Sequence, residues 1–258
     1  MIELAVAGAS GRMGRCVLDL AARDNRFTIT AALVDQGCPT CGSTIRVGEH
    51  DLVLADRLGT SCEVLVDFTT PSGTAAWVDV CERFGVPIVI GTTGHGAEQL
   101  AKIRDASRVI PVFYAANFSV GVHALCDLAA RVAKELGDEY DIEVVEVHHR
   151  HKTDAPSGTA FAIVDRVLEA TGRNRDDHVI FGRHGESGER PRGQIAVHAM
   201  RLGDTVGRHE IHFSGNGETL TFSHTAQSRE TFAAGALRAA AWIVERDPGL
   251  YHMPDLIP

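Results

Sequence analysis

Residues 148–159, "HHRHKTDAPSGT", place three histidines, an arginine and a lysine in five consecutive positions, and a Pro-Ser-Gly-Thr turn follows. Three chemistries use such a cluster: metal ligation, nucleic-acid contact, and capture of a small anion with proton transfer. The formal net charge of -9 argues against a general nucleic-acid surface, which needs a broad basic face. A local basic cluster in an acidic chain suits a small anionic ligand.

Residues 140–149, "YDIEVVEVHH", read as a strand. If that strand ran on, His148 and Arg150 would share one side, and His149 and His151 the other. Such alternation breaks up a compact three-histidine site, and zinc catalysis more often uses a helical H-x-x-x-H pair or a nearby carboxylate. No metal is therefore expected. Ser157, Gly158 and Thr159 begin a helix expected over 157–172, so their free N–H groups and two hydroxyls offer a carboxylate site. Taken singly, Ser157 is an ordinary helix N-cap and each histidine an ordinary surface or core imidazole. Their joint placement favours anion binding with proton transfer, and Lys152 stands close by with a full charge and a proton to give.

A second constellation lies at the N-terminus. Gly8, Gly11 and Gly14 in "VAGASGRMG" fall where a strand (2–8) turns into a helix (12–24). Glycines there allow a tight turn and close approach of backbone N–H groups to a pyrophosphate. Asp35 ends the next strand (27–35), where an acid accepts hydrogen bonds from an adenosine ribose. Ser10 occupies the place of the usual middle glycine, and Arg12 reads equally well as a phosphate contact or a solvated first-turn residue. The strand, helix and acid together point to dinucleotide binding.

These residues need two kinds of scaffold. Strands at 63–69, 86–93 and 108–115 alternate with helices at 72–85 and 95–106, which predicts a Rossmann-type doubly wound parallel sheet. Residues 36–61 read mostly as loop with a weak strand near 51–55. After residue 119 the pattern changes. Helices at 122–137 and 157–172 flank the 140–149 strand, and runs at 194–202, 207–215 and 218–226 follow without helices between them. That predicts a second α+β domain with an open mixed or antiparallel sheet. The expected organisation is 1–119, 120–227, and a 228–258 segment whose helix (228–246) returns to the first domain.

At 258 residues, 44% hydrophobic, the chain can bury one large core or two modest ones. "MIELAVAGASG" has no basic n-region or cleavable apolar segment, and no run approaches the ~18 apolar residues of a spanning helix. Six scattered cysteines do not form a small disulfide framework. A cytoplasmic, reduced protein without membrane or nucleic-acid partners is expected. Cys38 and Cys41 form a lone C-x-x-C; zinc would need two further ligands, so the pair reads as loop residues.

Together, "EVVEVHHRHKTDAPSGTA", "GASGRMG", "DFTTPSGT", "VIGTTG" and "YAANFSVGV" closely resemble the 4-hydroxy-tetrahydrodipicolinate (dihydrodipicolinate) reductase family. The motifs run in order over nearly the whole chain. The resemblance implies a two-domain homotetramer of the diaminopimelate–lysine pathway that reduces a cyclic dicarboxylate imine with NADH or NADPH. It implies that His148 and Lys152 are catalytic, and that His149, Gly158 and Thr159, beside Ser157, bind substrate. It implies a pyrophosphate loop of Gly8, Ala9, Ser10, Gly11, Arg12 and Met13. Gly91, Thr92 and Thr93, with Ala115, Ala116, Asn117 and Phe118, would flank the nicotinamide end. Many members carry a Glu-Arg pair after the second strand, whereas this chain has Val34-Asp35-Gln36. With no cation beside Asp35 to meet a 2′-phosphate, NADH is the expected preference and NADPH the alternative. A different two-domain Rossmann oxidoreductase would share the glycine loop without explaining "HHRHK…PSGT"; a non-catalytic nucleotide-sensing protein is the rival from another class.

Overall fold

The computed structural model describes residues 1–59 and 61–257. Thr60, inside the segment expected to be loop, and Pro258, at the end of the C-terminal segment, lie outside the described residues. The chain divides into two compact units: Met1–Ser119 with Arg229 to the C-terminus, and Val120–Ser228.

In the first unit, β1 (Ile2–Ala7), α1 (Arg12–Ala21) and β2 (Phe27–Leu33) lead to β3 (Thr44–Val47) and β4 (His50–Ala55). Then come β5 (Val64–Asp67), α2 (Pro71–Phe84), β6 (Ile88–Ile90), α3 (Ala97–Ala106) and β7 (Pro111–Tyr114). The eight-stranded sheet has the order β13-β7-β6-β5-β1-β2-β4-β3, its last strand β13 (Gly249–Tyr251) arriving from the C-terminus. All pairings are parallel except β3 with β4. β1 and β5 are buried almost throughout, as strands covered on both faces must be.

Helix α2 shows how locally the sequence sets its elements. The Thr70 hydroxyl accepts from the Gly73 N–H at 3.1 Å, Pro71 opens the first turn, and Gly85 closes the helix at φ +67°. The weak strand expected near 51–55 is β4; what the reading of 36–61 as otherwise loop lacked is β3, which pairs with it in a hairpin. β3 alternates polar and apolar residues, but over four positions only, too few to stand out from the polar stretch around it. The returning helix α7 (Glu230–Ile243) packs against α1, and at Gly235 an added Cβ would meet the Phe118 carbonyl at 1.9 Å. Beyond it, β13 and α8 (Met253–Leu256) extend the return further than the sequence suggests.

The second unit contains α4 (Val120–Leu136), β8 (Asp141–His148), α5 (Gly158–Thr171), α6 (Arg175–His178) and β9 (Val179–Ile180). Strands β10 (Ile195–Arg201), β11 (Gly207–Gly215) and β12 (Glu218–Ala226) complete it. Sheet order is β12-β11-β8-β10-β9. β8 runs parallel to β10 and antiparallel to β11, so the sheet is mixed. Asn216 (φ +50°) and Gly217 (φ +82°) form the two-residue turn joining β11 to β12, a conformation that Asn-Gly adopts readily. Ile142 and Val144 from β8, Ile195 and Val197 from β10, and Ile211 and Phe213 from β11 pack with α4 and α5 in one core.

Candidate active site

Each unit carries one of the two constellations. In the first, Gly8 (φ +81°) ends β1 in a conformation that favours glycine, and an added Cβ would stand 2.4 Å from the Phe68 carbonyl just past β5. A Cβ on Gly14 would stand 2.1 Å from the Gly8 carbonyl, so α1 approaches the loop more closely than any other residue permits. Ala9 is buried and its N–H bonds Leu33, while Ser10, Gly11 and Arg12 are exposed and Met13 partly so. The loop follows β1, whose two neighbours are β2 and β5, at the switch point where doubly wound sheets bind ligands.

Asp35 lines a cavity of about 500 Å³ with Gln36, Arg57, Gly73, Trp77 and Arg83. Its Oδ1 is buried without a hydrogen-bond partner among the described residues. A carboxylate oxygen left this way awaits a donor from a ligand, and a ribose hydroxyl supplies one. Gly73 makes room for it, since a Cβ there would stand 2.7 Å from Asp35 Oδ1. The glycine cradle and this orphaned oxygen fit a dinucleotide.

One of the segments expected at the nicotinamide end, through Thr92, reaches a buried carboxylate that the sequence did not announce. Asp67 accepts from the hydroxyls of Thr69 (2.6 Å), Thr74 (2.5 Å) and Thr92 (3.1 Å). Burial pushes its carboxyl above the usual range. The Thr92 hydroxyl is thus turned inward, and Thr93 is exposed. Gly91 lies against the Phe68 ring, which meets Phe118 edge-on. Ala115 bonds Ile90, Ala116 is exposed, and the Asn117 side chain accepts from the Ser119 N–H.

In the second unit β8 ends at His148, and residues 149–151 form a turn instead of the extended strand expected through 149. The alternating placement of the four basic residues therefore does not arise. The His149 and His151 rings lie 6.2 Å apart, and His149 Nδ1 is buried without a hydrogen-bond partner among the described residues. Lys152 donates to Asp154 at 2.8 Å.

The inner face of this sheet changes character along the strands. Ile142 and Val144 of β8 belong to the core; the next residues on that face are Glu146 and His148. Arg201 pairs with His148 in the β10–β8 register, and His209 pairs with Glu146 in the β11–β8 register. Glu146 is fully buried and contacts His148 Nδ1 at 2.5 Å, Arg201 Nη1 at 3.0 Å and the Ser157 N–H at 3.1 Å. Burial pulls His148 below the usual imidazole value, against the opposing pull of Glu146. His209, stacked edge-on to His148 at 5.1 Å, is pushed down to about 3, chiefly by burial.

Helix α5 starts beside this cluster. The Ser157 hydroxyl accepts from the Ala160 N–H at 3.1 Å and shares a hydrogen bond with His209 Nε2 at 3.0 Å. Of the N–H groups expected to be free, that of Ser157 is therefore engaged by Glu146. Gly158 is exposed and Thr159 partly so. The sequence reading missed Glu146, Arg201 and His209. For Glu146 a signal existed, because it lies two residues before His148 on a strand and so shares its face.

No cluster of three or more His, Cys, Asp and Glu suited to a metal occurs among the described residues, and none of their helices is long and apolar enough to cross a membrane. Cys38 and Cys41 are free thiols.

Comparison with known proteins adds a separate finding. The family models "Dihydrodipicolinate reductase, N-terminus" and "Dihydrodipicolinate reductase, C-terminus" match residues 2–118 and 121–257. The chain is 43% identical over 262 residues to the 4-hydroxy-tetrahydrodipicolinate reductase of Thiobacillus denitrificans, covering 99% of this chain and 98% of the relative. It is 41% identical, with the same coverage, to that of Alkalilimnicola ehrlichii. Among solved structures it resembles the dipicolinate-bound dihydrodipicolinate reductase of Paenisporosarcina sp. TG-14 over the full length of both chains. The TM-score is 0.78 at 24% identity, a likeness of fold.

Proposed function

The chain belongs to the dihydrodipicolinate reductase family, and from that premise we propose that it reduces 4-hydroxy-tetrahydrodipicolinate to tetrahydrodipicolinate in the diaminopimelate–lysine pathway. The observation that carries the reading to particular residues is the polar end of the second sheet. There His148, backed by a buried carboxylate, adjoins a helix start and Lys152.

A dicarboxylate loses hydration on binding and needs charges and N–H donors in exchange. Gly158 and Thr159, in the first turn of α5, offer backbone N–H groups and the helix's partial positive charge, and Thr159 adds a hydroxyl. Ser157 holds that turn in place through its cap. His149 and Lys152 supply the remaining polar and cationic contacts. Lys152 gives the proton that reduction requires, leaving Asp154 for the substrate, and His148 is its electrostatic partner and relay.

The cofactor is NAD(P)H, which when bound supplies the hydride. Gly8 to Met13 hold its pyrophosphate, and Asp35 takes the ribose hydroxyls. Residues 91–93 and 115–118 shape the nicotinamide end, Thr92 through its bond to Asp67. Asp35 sets a preference for NADH, because a carboxylate repels a 2′-phosphate. The second unit also carries the contacts of a cytoplasmic homotetramer.

The test is a coupled assay: purified protein, pyruvate, aspartate semialdehyde and the preceding synthase, followed at the reduced-nicotinamide absorbance band. Loss of absorbance that needs every component supports the function. Oxidation of cofactor independent of the synthase overturns it.

A further inference from the structure

Glu146 has no contact with solvent, yet it is a carboxylate in the interior of a sheet. Such a group persists only when its oxygens are fully engaged. Here Arg201 Nη1 donates to both oxygens at 3.0 Å, the Ser157 N–H donates to Oε1 at 3.1 Å, and His148 Nδ1 meets Oε2 at 2.5 Å. An ionised carboxylate only accepts, so Nδ1 must carry a proton and, in the neutral ring, Nε2 must present a lone pair.

The remaining donors of Arg201 point to a different segment. Its Nη2 donates to the Asp154 carbonyl at 2.5 Å and its Nε to the Lys152 carbonyl at 3.3 Å. One planar guanidinium thus spans Glu146 and the backbone on either side of Thr153. A lysine ammonium, a point donor, cannot reproduce that fork.

We propose that Glu146 and Arg201 are positioning residues for the proton-handling pair. Glu146 fixes His148 as the Nδ1–H tautomer, and Arg201 ties that carboxylate to the segment bearing Lys152. The inference rests on the roles given above to His148 and Lys152, and deepens them: the geometry of both is set by the ion pair of buried Glu146 with partly buried Arg201.

The groups facing His148 are Glu146 on its own strand, Arg201 on β10, His209 on β11, and Lys152 in the following turn. Of these only Glu146 favours the imidazolium, so its neutralisation moves the His148 ionisation to lower pH. The experiment is nitrogen-resolved NMR of histidine-labelled protein, with the His148 signals assigned by their absence in His148→Asn. Kinetics of Glu146→Gln and Arg201→Lys accompany it.

The expected result at neutral pH is a wild-type ring protonated on Nδ1 and bare on Nε2. In Glu146→Gln that tautomer loses dominance, kcat falls about 10–100-fold, the usual cost of removing a partner that orients a histidine, and the acid limb of the rate profile moves to lower pH. Arg201→Lys loses kcat to a similar degree. A purely structural role would lower Tm and leave tautomer and acid limb in place.

A wild-type proton on Nε2, or an unchanged tautomer in Glu146→Gln, overturns the inference whatever the other variants do. A changed tautomer with wild-type kcat supports the positioning and overturns the catalytic reading of His148 instead.

Discussion

The Nε2 nitrogen of His148 faces the bare backbone of Gly207, where an added Cβ would stand 3.2 Å away. With Nδ1 engaged by Glu146, Nε2 is the ring nitrogen left for chemistry, and glycine on β11 leaves no side chain pressed against it. Gly207→Ala is expected to lower kcat by roughly 10-fold or more, since small misplacements of a reacting group are costly. Near wild-type turnover in a folded Gly207→Ala protein would contradict this role for the gap.

The helix start gives a second test. Thr159→Val keeps the shape of the side chain and removes one hydroxyl. Loss of a hydrogen bond to a charged carboxylate is worth about 1.5–3 kcal/mol, so the apparent KM should rise with little change in kcat. Calorimetry with a pyridine dicarboxylate checks it; unaltered affinity in the folded variant rules out the contact.

Stability should carry the mark of His209. Its folded-state value of about 3 lies below the ordinary imidazole value, so between those values the unfolded chain binds the extra proton. The contribution is present above about pH 6.5 and is lost as pH falls toward 3. A single such group gives a slope of about 1.4 kcal/mol per pH unit in that window. His209→Gln should flatten the decline measured by urea unfolding at pH values through this window. An undiminished slope would show that His209 is not held neutral.

Cofactor choice turns on Asp35. Its Oδ1, without a partner among the described residues, favours ribose hydroxyls, while Arg57 and Arg83 line the same cavity and offer the cations a 2′-phosphate would need. Arg57 is 4.0 Å from Asp56. The expected kcat/KM favours NADH in wild type, and Asp35→Ala narrows or reverses the preference. A wild type favouring NADPH severalfold would assign the phosphate to one of those arginines.

Much of this was legible in the sequence because local rules and tertiary demands agree. Strand–glycine–helix at 2–21 is set by turn sterics, and the β11–β12 hairpin is written in Asn216-Gly217. What stayed hidden depends on register. Arg201 reaches His148 because β10 lies parallel beside β8, a pairing across 53 residues that no spacing encodes. His209 is brought to Glu146 by the antiparallel neighbour in the same way. Asp67 reads as one more strand residue until three threonine hydroxyls converge on it. Of the β3–β4 hairpin only β3 escaped, because the alternation of Thr44-Ile45-Arg46-Val47 lasts a mere four residues in a polar, glycine-containing stretch.

The account turns on Lys152 as the proton donor beside the helix start, and Lys152→Ala measures that most directly. In the coupled assay at saturating substrate, kcat should fall by roughly 10²–10⁴, the usual worth of a positioned general acid. Cofactor affinity, read by calorimetry on the same preparation, should stay nearly unchanged, since the residues proposed to hold the dinucleotide belong to the first unit. Turnover close to wild type in the folded variant would contradict the account and move the proton donor elsewhere.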